Sequence, residues 1–558
     1  MKKMRYILGA VLVTLVAPCL VWAAAKKSHD AALSRNLNTF NHIVRELETS
    51  YVDTIPVERT FEAAIAALLN EIDPYTEYYN AKDREVFKTM TTGEYAGIGS
   101  YITQRDSFTV ISGPHEGSPA DLAGLKSGDR ILRVDTTRAI GLGSEKVTSL
   151  LRGKPGTQVQ VTVSRPYAGP DSIMTFTLER RKLEIPSVPY YGVTKEGIGY
   201  VRLLSFMEKS ADEVKRALED FAANPEVKGV VLDLRGNGGG LLESAVEILN
   251  YFIPKGTEVL RTKGREPGDV RVYRTTRQPL MPDMPLAVLI DGGSASASEI
   301  VAGAVQDLDR GVLIGSRSFG KGLVQSTKGL PYDGMLKVTT AKYYIPSGRL
   351  IQALDYSRRN PDGSVAATPD SLCHDYKTAH GRLVRDGGGL QPDIEIDWGK
   401  PSRLVYNLVR DQWIFDYATR YAASHPTIPG PEEFVVTDEM YADFKGGIDP
   451  KRLKYDKVCD EMLKDLEKAA EIEGYMNDST KAQFEVMRKM LTHDLDHDLD
   501  IHRTDISEYI ASEIVGRYYY ERGQVQESLR HDAALDTATT VLTTPQRLST
   551  LLRPTPAK

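Results

Sequence analysis

Two short stretches decide the expected fold and chemistry of this chain: Gly292-Gly293-Ser294-Ala295-Ser296-Ala297-Ser298-Glu299 and Ser318-Phe319-Gly320-Lys321-Gly322-Leu323-Val324-Gln325. In the first stretch, serines stand among small residues directly before an apolar segment of helical character, Ile300–Val305. A strand-to-helix turn at this point would expose the hydroxyl of the middle serine, as a nucleophile elbow does. In the second stretch, a single lysine lies between two glycines. Together the two stretches predict a serine nucleophile and a lysine that acts as its base.

The choice of base follows from an absence of histidine. No histidine occurs between His115 and His374, so a serine nucleophile in this segment has no nearby candidate for a histidine base. A desolvated lysine is the natural substitute, because burial disfavours the ammonium and lowers its pKa from about 10.4. The glycines beside Lys321 let the backbone approach closely. The residues therefore predict a Ser–Lys hydrolase, and a solvated lysine on a surface turn is the alternative.

Three serines compete for the role of nucleophile, and the turn geometry favours Ser296. Serines before a helix usually cap it, so Ser294 and Ser298 are expected to be an N-cap and a helical residue. Glu299 is expected to cap or solvate the start of the helix rather than to act as a base.

Length and composition limit the class of protein. The 558 residues predict about three or four domains. The hydrophobic fraction of 41% and the charged fraction of 26% are typical of a soluble globular protein. A net charge of −6, a pI of about 6.0 and the lack of a long basic block argue against nucleic acid as a partner.

The N-terminus has the pattern of an export signal. Three positive charges in the first five residues, an apolar run from Tyr6 to Trp22 and Ala23-Ala24-Ala25 predict a cleaved signal peptide over residues 1–25. The mature protein is then expected outside the cytoplasm, in a periplasm, with a retained membrane anchor as the alternative. Lipidation at Cys19 is disfavoured because Pro18 fits a lipobox poorly.

Hydrophobic periodicity divides the rest of the chain into regions of different type. Helical spacing comes first, short strands follow, alternating strands and helices come third, and polar helices follow them. A Thr/Pro-rich end is expected to be flexible. The expected segments are 26–91 (helical), 92–181 (β-rich), 182–401 (α/β), 402–536 (helical) and 537–558 (flexible tail).

At this point the motifs resemble those of a known family, the C-terminal processing (tail-specific) proteases of the S41 serine peptidases. Lys321 lies 25 residues after Ser296, which is similar to the family's separation. Further stretches resemble family motifs: Asp73-Pro74-Tyr75-Thr76, the glycine turn in 231–240, Tyr344–Arg349 and Gly389–Asp393. The resemblance covers about residues 35–400. Residues 356–386 are an insertion between two motifs, and the helices after 402 exceed the minimal pattern.

The resemblance implies a role for each matching residue. Ser296 would be the nucleophile and Lys321 the general base, and Gln325 would orient the lysine or its partner. The backbone N–H groups of Ala297 and Gly239 would form the oxyanion hole. It implies no metal and no organic cofactor.

The β-rich region resembles a PDZ domain. Tyr95-Ala96-Gly97-Ile98-Gly99 is similar to a carboxylate-binding loop, and the stretch 117–132 is similar to the turn-and-helix signature that follows it. Gly97, Ile98 and Gly99 would then bind the free C-terminus of a protein or peptide substrate by strand addition. A β-module that only packs on the protease is the alternative. The implied fold is a multidomain α/β protein with N-terminal helices, a PDZ domain, a mixed-sheet protease core and a helical C-terminal region.

Other polar clusters have structural interpretations. The glycine turn also occupies a position where phosphate loops occur, but the dinucleotide and P-loop patterns are missing. Asp233 and Arg235 are expected to be partners at a strand end. His493, His497 and His502 lie among aspartates and are expected to form a solvated acidic face rather than a metal site.

These observations favour a secreted serine endopeptidase of the cell envelope. A catalytically silent PDZ scaffold is the first alternative, and an acyl-transfer enzyme with a glycine-built oxyanion hole is the second. Besides substrates, an adaptor protein and self-association through the C-terminal helices are partner hypotheses.

Overall fold

The computed structural model describes residues 29–169, 172–360, 362–399, 402–455, 458–491 and 494–554. The expected signal peptide at 1–25 and His493 lie outside these residues. The described chain divides between Tyr78 and Tyr79 into two compact units.

The first unit is helical, as the three- and four-residue spacing of its apolar residues predicts. Phe40 and Phe61 lie on its two helices, and their ring centroids are 6.2 Å apart in an edge-to-face arrangement. After the second helix, Asp73 Oδ1 accepts hydrogen bonds from the backbone of Tyr75 and Thr76, each at 2.8 Å. Its elements are α1 (29–50) and α2 (Val57–Asn70); the short strand β1 (Glu77–Tyr79) follows and spans the division between the units.

The second unit begins with the β-rich region, whose sheet has the strand order β3-β4-β5-β7-β8, with β6 paired to β5. Every pairing in it is antiparallel, and β3 is an edge strand. A separate antiparallel pair joins β2 to β9. The elements are α3 (Arg84–Thr92), β2 (Glu94–Gly97), β3 (Ser100–Arg105), β4 (Phe108–Pro114), α4 (Pro119–Leu122), β5 (Arg130–Val134), β6 (Thr137–Arg138), α5 (Ser144–Leu151), β7 (Gln158–Ser164), β8 (Ile173–Glu179) and β9 (Arg181–Glu184).

The α/β core follows, built on a mixed sheet of order β10-β11-β12-β15-β16-β23. Only β10 runs antiparallel to its neighbour. A second, antiparallel sheet contains β17, β18, β13 and β14. The elements are β10 (Tyr190–Val193), β11 (Ile198–Arg202), α6 (Ser210–Ala223), β12 (Gly229–Asp233), α7 (Leu242–Leu249), β13 (Glu258–Gly264), β14 (Val270–Arg274), β15 (Leu286–Ile290), α8 (Ala297–Asp307), β16 (Val312–Gly315), β17 (Leu323–Gly329), β18 (Met335–Tyr344), β19 (Leu354–Arg359), β20 (Val365–Ala367), β21 (Asp375–Lys377), β22 (Leu383–Arg385) and β23 (Ile394–Glu395).

The insertion 356–386 folds as two small antiparallel hairpins, β19–β20 and β21–β22. Arg382 anchors it, because its buried guanidinium pairs with both Asp309 and Asp393, each at 2.5 Å.

The C-terminal helical region ends in two helices that pack on the core. Its long helix α15 has a non-helical residue, Tyr520, at φ 57° and ψ −163°. After this kink the chain returns along itself, and the Gln524 amide donates to the carbonyl of Ser512 at 3.3 Å. Among the helices of the described residues, none is long and apolar enough to cross a bilayer. The elements are α9 (Arg403–Arg410), α10 (Trp413–Ser424), α11 (Asp438–Gly446), α12 (Val458–Ile472), α13 (Asp478–Leu491), α14 (Leu495–Ile501), α15 (Arg503–Ser528), α16 (Ala533–Leu542) and α17 (Pro545–Leu551).

The mixed sheet is covered on both faces, since side chains alternate along each strand. Val230 and Leu232 of β12 belong to the hydrophobic cluster that contains α6, α7 and α8. Val231, between them, belongs to the opposite cluster, which contains α16. The core is therefore a three-layer arrangement, and the C-terminus of the chain supplies part of its third layer.

The prediction of a flexible tail over 537–558 is wrong for the residues that the structure describes. Residues 537–542 and 545–551 are helical, and Ala538, Val541 and Leu542 are buried against the sheet. These residues recur at three- and four-residue steps among threonines, so one apolar face reaches the core despite the polar composition.

Candidate active site

Ser296 lies on the turn between β15 and α8 and is the N-cap of α8. Its φ of 56° and ψ of −113° fall where a residue with a side chain is strained, which is common at functional sites. Ser296 is part-exposed, whereas Ser294 and Ser298 are fully buried. Their hydroxyls donate to the carbonyls of Leu234 and Asn237, each at 2.8 Å. The middle serine is thus the one presented to solvent, and the expected N-cap role of Ser294 falls to Ser296 instead.

The buried carboxylate of Glu299 joins the turn that carries Ser296 (the serine turn) to the turn that carries Lys321 (the lysine turn). Its Oε2 accepts hydrogen bonds from the backbone N–H groups of Ser296 and Lys321, both at 2.9 Å. Its Oε1 accepts from the Ser318 hydroxyl at 2.5 Å and from the Gly320 N–H at 2.7 Å. Glu299 caps α8 as expected, but it is fully buried rather than solvated. One side chain therefore fixes the backbone of both turns.

Burial dominates the electrostatics of Glu299. It raises the pKa of this carboxyl to about 7, and the hydrogen bonds from Ser318, Lys321, Gly320 and Ser296 act in the opposite direction. A protonated carboxyl loses acceptor capacity, so all four donors are best satisfied by the ionised form.

The glycine turn after β12 lies directly against the serine turn. Gly239 has a φ of +101°, and a Cβ at this position would lie 2.7 Å from the Ala295 carbonyl oxygen and 2.8 Å from the Ser296 Cβ. Only glycine fits this approach. The N–H of Gly239 donates to Asn237 Oδ1 at 2.9 Å. Ala297 is the first residue of α8, a position whose N–H has no partner within its own helix.

Asp291 fixes the glycine turn and the serine turn to each other. Its Oδ1 accepts hydrogen bonds from the N–H groups of Gly236, Gly293 and Ser294 at 2.8, 2.9 and 3.1 Å. Sequence reasoning missed this residue. The available signal was an aspartate between a buried strand and two glycines, which is typical of a side chain that organises a turn.

Lys321 is half-buried in a tightly packed turn. A Cβ on Gly320 would lie 2.5 Å from that of Ala353, and the N–H of Gly322 donates to Gln352 Oε1 at 2.7 Å. Gln325 lies four residues further, on β17, and its amide donates to the Thr339 hydroxyl of β18 at 3.1 Å.

A groove in the β-rich region contains the predicted tail-binding residues. Gly97, Ile98 and Gly99 line a cavity of about 140 Å³ beside β3, together with the side chains of Tyr95, Tyr101, His115, Leu151 and Arg152. Gly99 has a φ of +79°, and a Cβ there would lie 2.3 Å from that of Ser118. The Ser118 hydroxyl donates to the Gly99 carbonyl at 2.7 Å, so the loop has a defined shape.

Asp233 and Arg235 form an ionic cluster at the end of β12, as the sequence predicted. Asp233 is fully buried, pairs with Arg235 at 2.6 Å and with Arg202 at 2.7 Å, and accepts from the Tyr200 hydroxyl at 2.6 Å. Within the described residues, which exclude His493, no group of three or more His, Cys, Asp or Glu side chains is arranged to hold a metal ion.

Comparison with family models identifies three regions. Residues 197–365 match Peptidase family S41, residues 110–165 match a PDZ domain, and residues 404–542 match "Probable PDZ-protease, C-terminal helical domain". The fold and the site thus define a serine peptidase that carries a PDZ domain.

Two relatives found by sequence similarity agree with this class. A carboxy-terminal-processing protease of Bartonella bacilliformis is 36% identical over 57% of this chain and 73% of its own length. A probable CtpA-like serine protease of Staphylococcus haemolyticus is 29% identical over 82% of this chain and 91% of its own length. A solved photosystem II D1 C-terminal processing protease is 27% identical over 65% of this chain and 87% of that one, with a TM-score of 0.35. This chain belongs to the S41 family, as a carboxy-terminal-processing serine protease with a PDZ domain.

Proposed function

We propose that this protein is an endopeptidase of the cell envelope that uses a Ser296–Lys321 dyad to cleave proteins selected by their C-terminal tails. The observation that supports the dyad best is the shared acceptor Glu299 Oε2, which the backbone nitrogens of Ser296 and Lys321 both reach at 2.9 Å. The backbones of two residues that lie 25 positions apart in sequence are thereby joined through a single oxygen atom.

In the proposed reaction, the Ser296 hydroxyl attacks the scissile carbonyl carbon while the neutral amine of Lys321 accepts its proton. The tetrahedral intermediate collapses, the C–N bond breaks, and the protonated lysine returns the proton to the leaving amine. Water, deprotonated by the same lysine, then hydrolyses the acyl-enzyme and releases the Ser296 hydroxyl.

The developing oxyanion would be stabilised by the N–H groups of Ala297 and Gly239. Because the Gly239 N–H donates to Asn237 Oδ1 in this structure, its participation requires an exchange of that bond for the substrate oxygen. The packing of Gly239 against Ser296 supports this role, since it places the peptide group beside the nucleophile.

Gln325 would act indirectly. Its hydrogen bond to Thr339 ties β17 to β18 next to the lysine turn, so it would set the direction from which Lys321 enters the site. We regard it as a positioning residue.

The PDZ groove would select the substrate. The edge strand β3 is available to pair with an extended tail, and the loop Gly97-Ile98-Gly99 would receive the terminal carboxylate. The export pattern of residues 1–25 supports a periplasmic enzyme, and therefore exported proteins as substrates.

The direct test is a comparison of the envelope proteomes of cells with the wild-type enzyme and with Ser296→Ala, together with N-terminal sequencing of the fractionated protein. We expect proteins with free apolar tails to accumulate in the variant, and a mature enzyme that begins near residue 25. Identical proteomes would favour the silent PDZ scaffold. A chain that retains Met1 in the membrane, or begins at a lipid-modified Cys19, would replace the released enzyme by an anchored one.

A further inference from the structure

The C-terminal helical region contributes a carboxylate to the ionic cluster beside the glycine turn. Asp532 is the N-cap of α16 and is only 8% exposed. Its Oδ1 lies 3.0 Å from Arg235 Nη1, and its Oδ2 lies 2.5 Å from Arg235 Nη2. The same Oδ1 accepts the backbone N–H groups of Ala534 and Leu535 at 3.0 and 3.1 Å. Asp532 therefore caps its helix and accepts hydrogen bonds from Arg235 at both carboxylate oxygens.

Arg235 is held on its other side by Asp233. Its Nε donates to Asp233 Oδ1 at 3.0 Å and its Nη2 to Oδ2 at 2.6 Å, while its backbone N–H reaches Oδ1 at 2.9 Å. The planar guanidinium thus makes a paired contact with each of two carboxylates. It has little freedom to reorient.

Asp532 also adds a negative charge to the cluster. The buried Asp233 faces two guanidinium groups, those of Arg235 and Arg202. Burial alone would raise the pKa of Asp233, but these arginines outweigh it and hold that pKa below its usual value. One carboxylate cannot neutralise two guanidinium groups; Asp532 supplies a further negative charge beside Arg235, and Glu521 lies near Arg202.

The cluster is connected to the proposed oxyanion hole through the backbone. Arg235 directly precedes Gly236, whose N–H is fixed by Asp291 at 2.8 Å. Three residues later, Gly239 packs on Ser296 and Ala297. Arg235 therefore lies at the entry of the turn that carries Gly239.

We propose that Asp532 is a positioning residue for catalysis: by holding Arg235 between two carboxylates, it sets the glycine turn against the nucleophile. The inference rests on the proposed function, in which the Gly239 N–H serves the oxyanion. It gives the C-terminal helical region a role in the reaction itself.

Asp532→Asn tests this in the full-length enzyme, because asparagine is an equally good N-cap but removes the charge. We expect kcat for a tail peptide to fall about ten-fold, less than the loss of a whole oxyanion donor, with KM within about two-fold. Asp532→Glu, which restores the carboxylate, should recover part of the loss. Asp532→Ser, which also caps but cannot bridge to the guanidinium, should behave like Asp532→Asn.

Two control variants separate positioning from stability. Asp536→Asn removes an exposed charge one turn further along α16, and Leu535→Ala weakens the packing of α16 on the sheet. We expect the first to leave kcat unchanged, and the second to lower Tm with little effect on the kcat of the folded enzyme.

A wild-type kcat in Asp532→Asn and Asp532→Ser would overturn the proposal, as would a kcat loss that merely follows Tm across all the variants. Ser296→Ala is measured alongside them. If that variant still cleaves the peptide, the proposed function has failed; if it does not and Asp532→Asn is fully active, only the positioning role has failed.

Discussion

The backbone nitrogens of Ser296 and Lys321 donate to the same atom, Oε2 of Glu299, at equal distances of 2.9 Å. The serine precedes α8 and the lysine precedes β17, so no local structure connects them. A buried carboxylate one helical turn after the serine makes the connection. Burial penalises the ionised form of this carboxyl, whereas the hydrogen bonds that it accepts favour that form.

The protonation of Glu299 should make the stability of the protein depend on pH. Burial raises the pKa of Glu299 to about 7, above its unfolded value near 4.5, so the folded state favours the protonated carboxyl. The contribution of this group to the free energy of unfolding is therefore full below about pH 4.5 and is lost as the pH rises through 7. Wild-type Tm should therefore fall relative to that of Glu299→Gln between pH 5 and pH 8, by several degrees. Scanning calorimetry at each pH measures the difference, and a Tm difference independent of pH would contradict the shift.

The Glu299→Gln variant should also lose most activity at every pH, because its amide nitrogen cannot accept a hydrogen bond.

The second prediction distinguishes among the serines. Ser296→Ala should abolish peptide cleavage and leave tail binding intact, because the change removes the proposed nucleophile but little packing. Ser298→Ala is the matched control: it deletes a buried hydrogen bond to the Asn237 carbonyl and should lower the free energy of unfolding by about 1 kcal/mol without abolishing turnover. Turnover assays and urea denaturation give both quantities. Near wild-type turnover in Ser296→Ala would remove this residue from the mechanism.

Substitution of two neighbouring glycines, Gly238 and Gly239, tests the contact between the glycine turn and Ser296. A Cβ on Gly239 would lie 2.7 Å from the Ala295 carbonyl oxygen at a φ of +101°, whereas a Cβ on Gly238 would meet nothing within 4 Å. Gly239→Ala should therefore cost roughly 1–3 kcal/mol of stability and reduce kcat at least about ten-fold. Gly238→Ala should be nearly neutral in both. Equal kcat values for the two variants would show that the approach of this turn to Ser296 is unimportant for the reaction.

The fourth prediction concerns the substrate tail. A peptide with a free apolar C-terminus should bind the groove at Gly97–Gly99, and amidation of its carboxylate should weaken binding and cleavage. Gly99→Ala should have a similar effect on the free peptide, because its Cβ would collide with that of Ser118. Gly113→Ala, with no neighbour closer than 4.0 Å, is the control. Calorimetric titration with both peptides provides the comparison. Equal affinities for the free and amidated peptides would argue against tail selection by this groove.

The sequence predicted the elements that local patterns encode. Small residues between a buried strand and an apolar helix marked the turn of Ser296, and alternation of strands and helices predicted an α/β core with a covered sheet. The flanking glycines and the lack of a nearby histidine indicated Lys321, and the family spacing supported it. These features are local or follow a known motif, so a single sequence reveals them.

The contacts that join these elements were not predictable in this way. Asp532 lies 297 residues after Arg235, and nothing near either residue indicates the pairing. The apolar face of α16 is diluted by threonines, which made a buried layer resemble a flexible tail. Glu299 was recognised as a cap, but its hydrogen bonds to Gly320 and Lys321 depend on how two separate turns pack.

The central claim, that Lys321 activates Ser296, is tested most directly by labelling with a fluorophosphonate probe over a range of pH, followed by peptide mass spectrometry. Arginine cannot become neutral at working pH, so Lys321→Arg keeps a positive charge but cannot accept the serine proton. We predict a label on Ser296 whose rate of formation rises with pH in the wild-type enzyme and is nearly lost in Lys321→Arg, while Lys328→Arg behaves as the wild type. Labelling of Ser296 at an ordinary rate in Lys321→Arg, or labelling of a different residue, would contradict the claim.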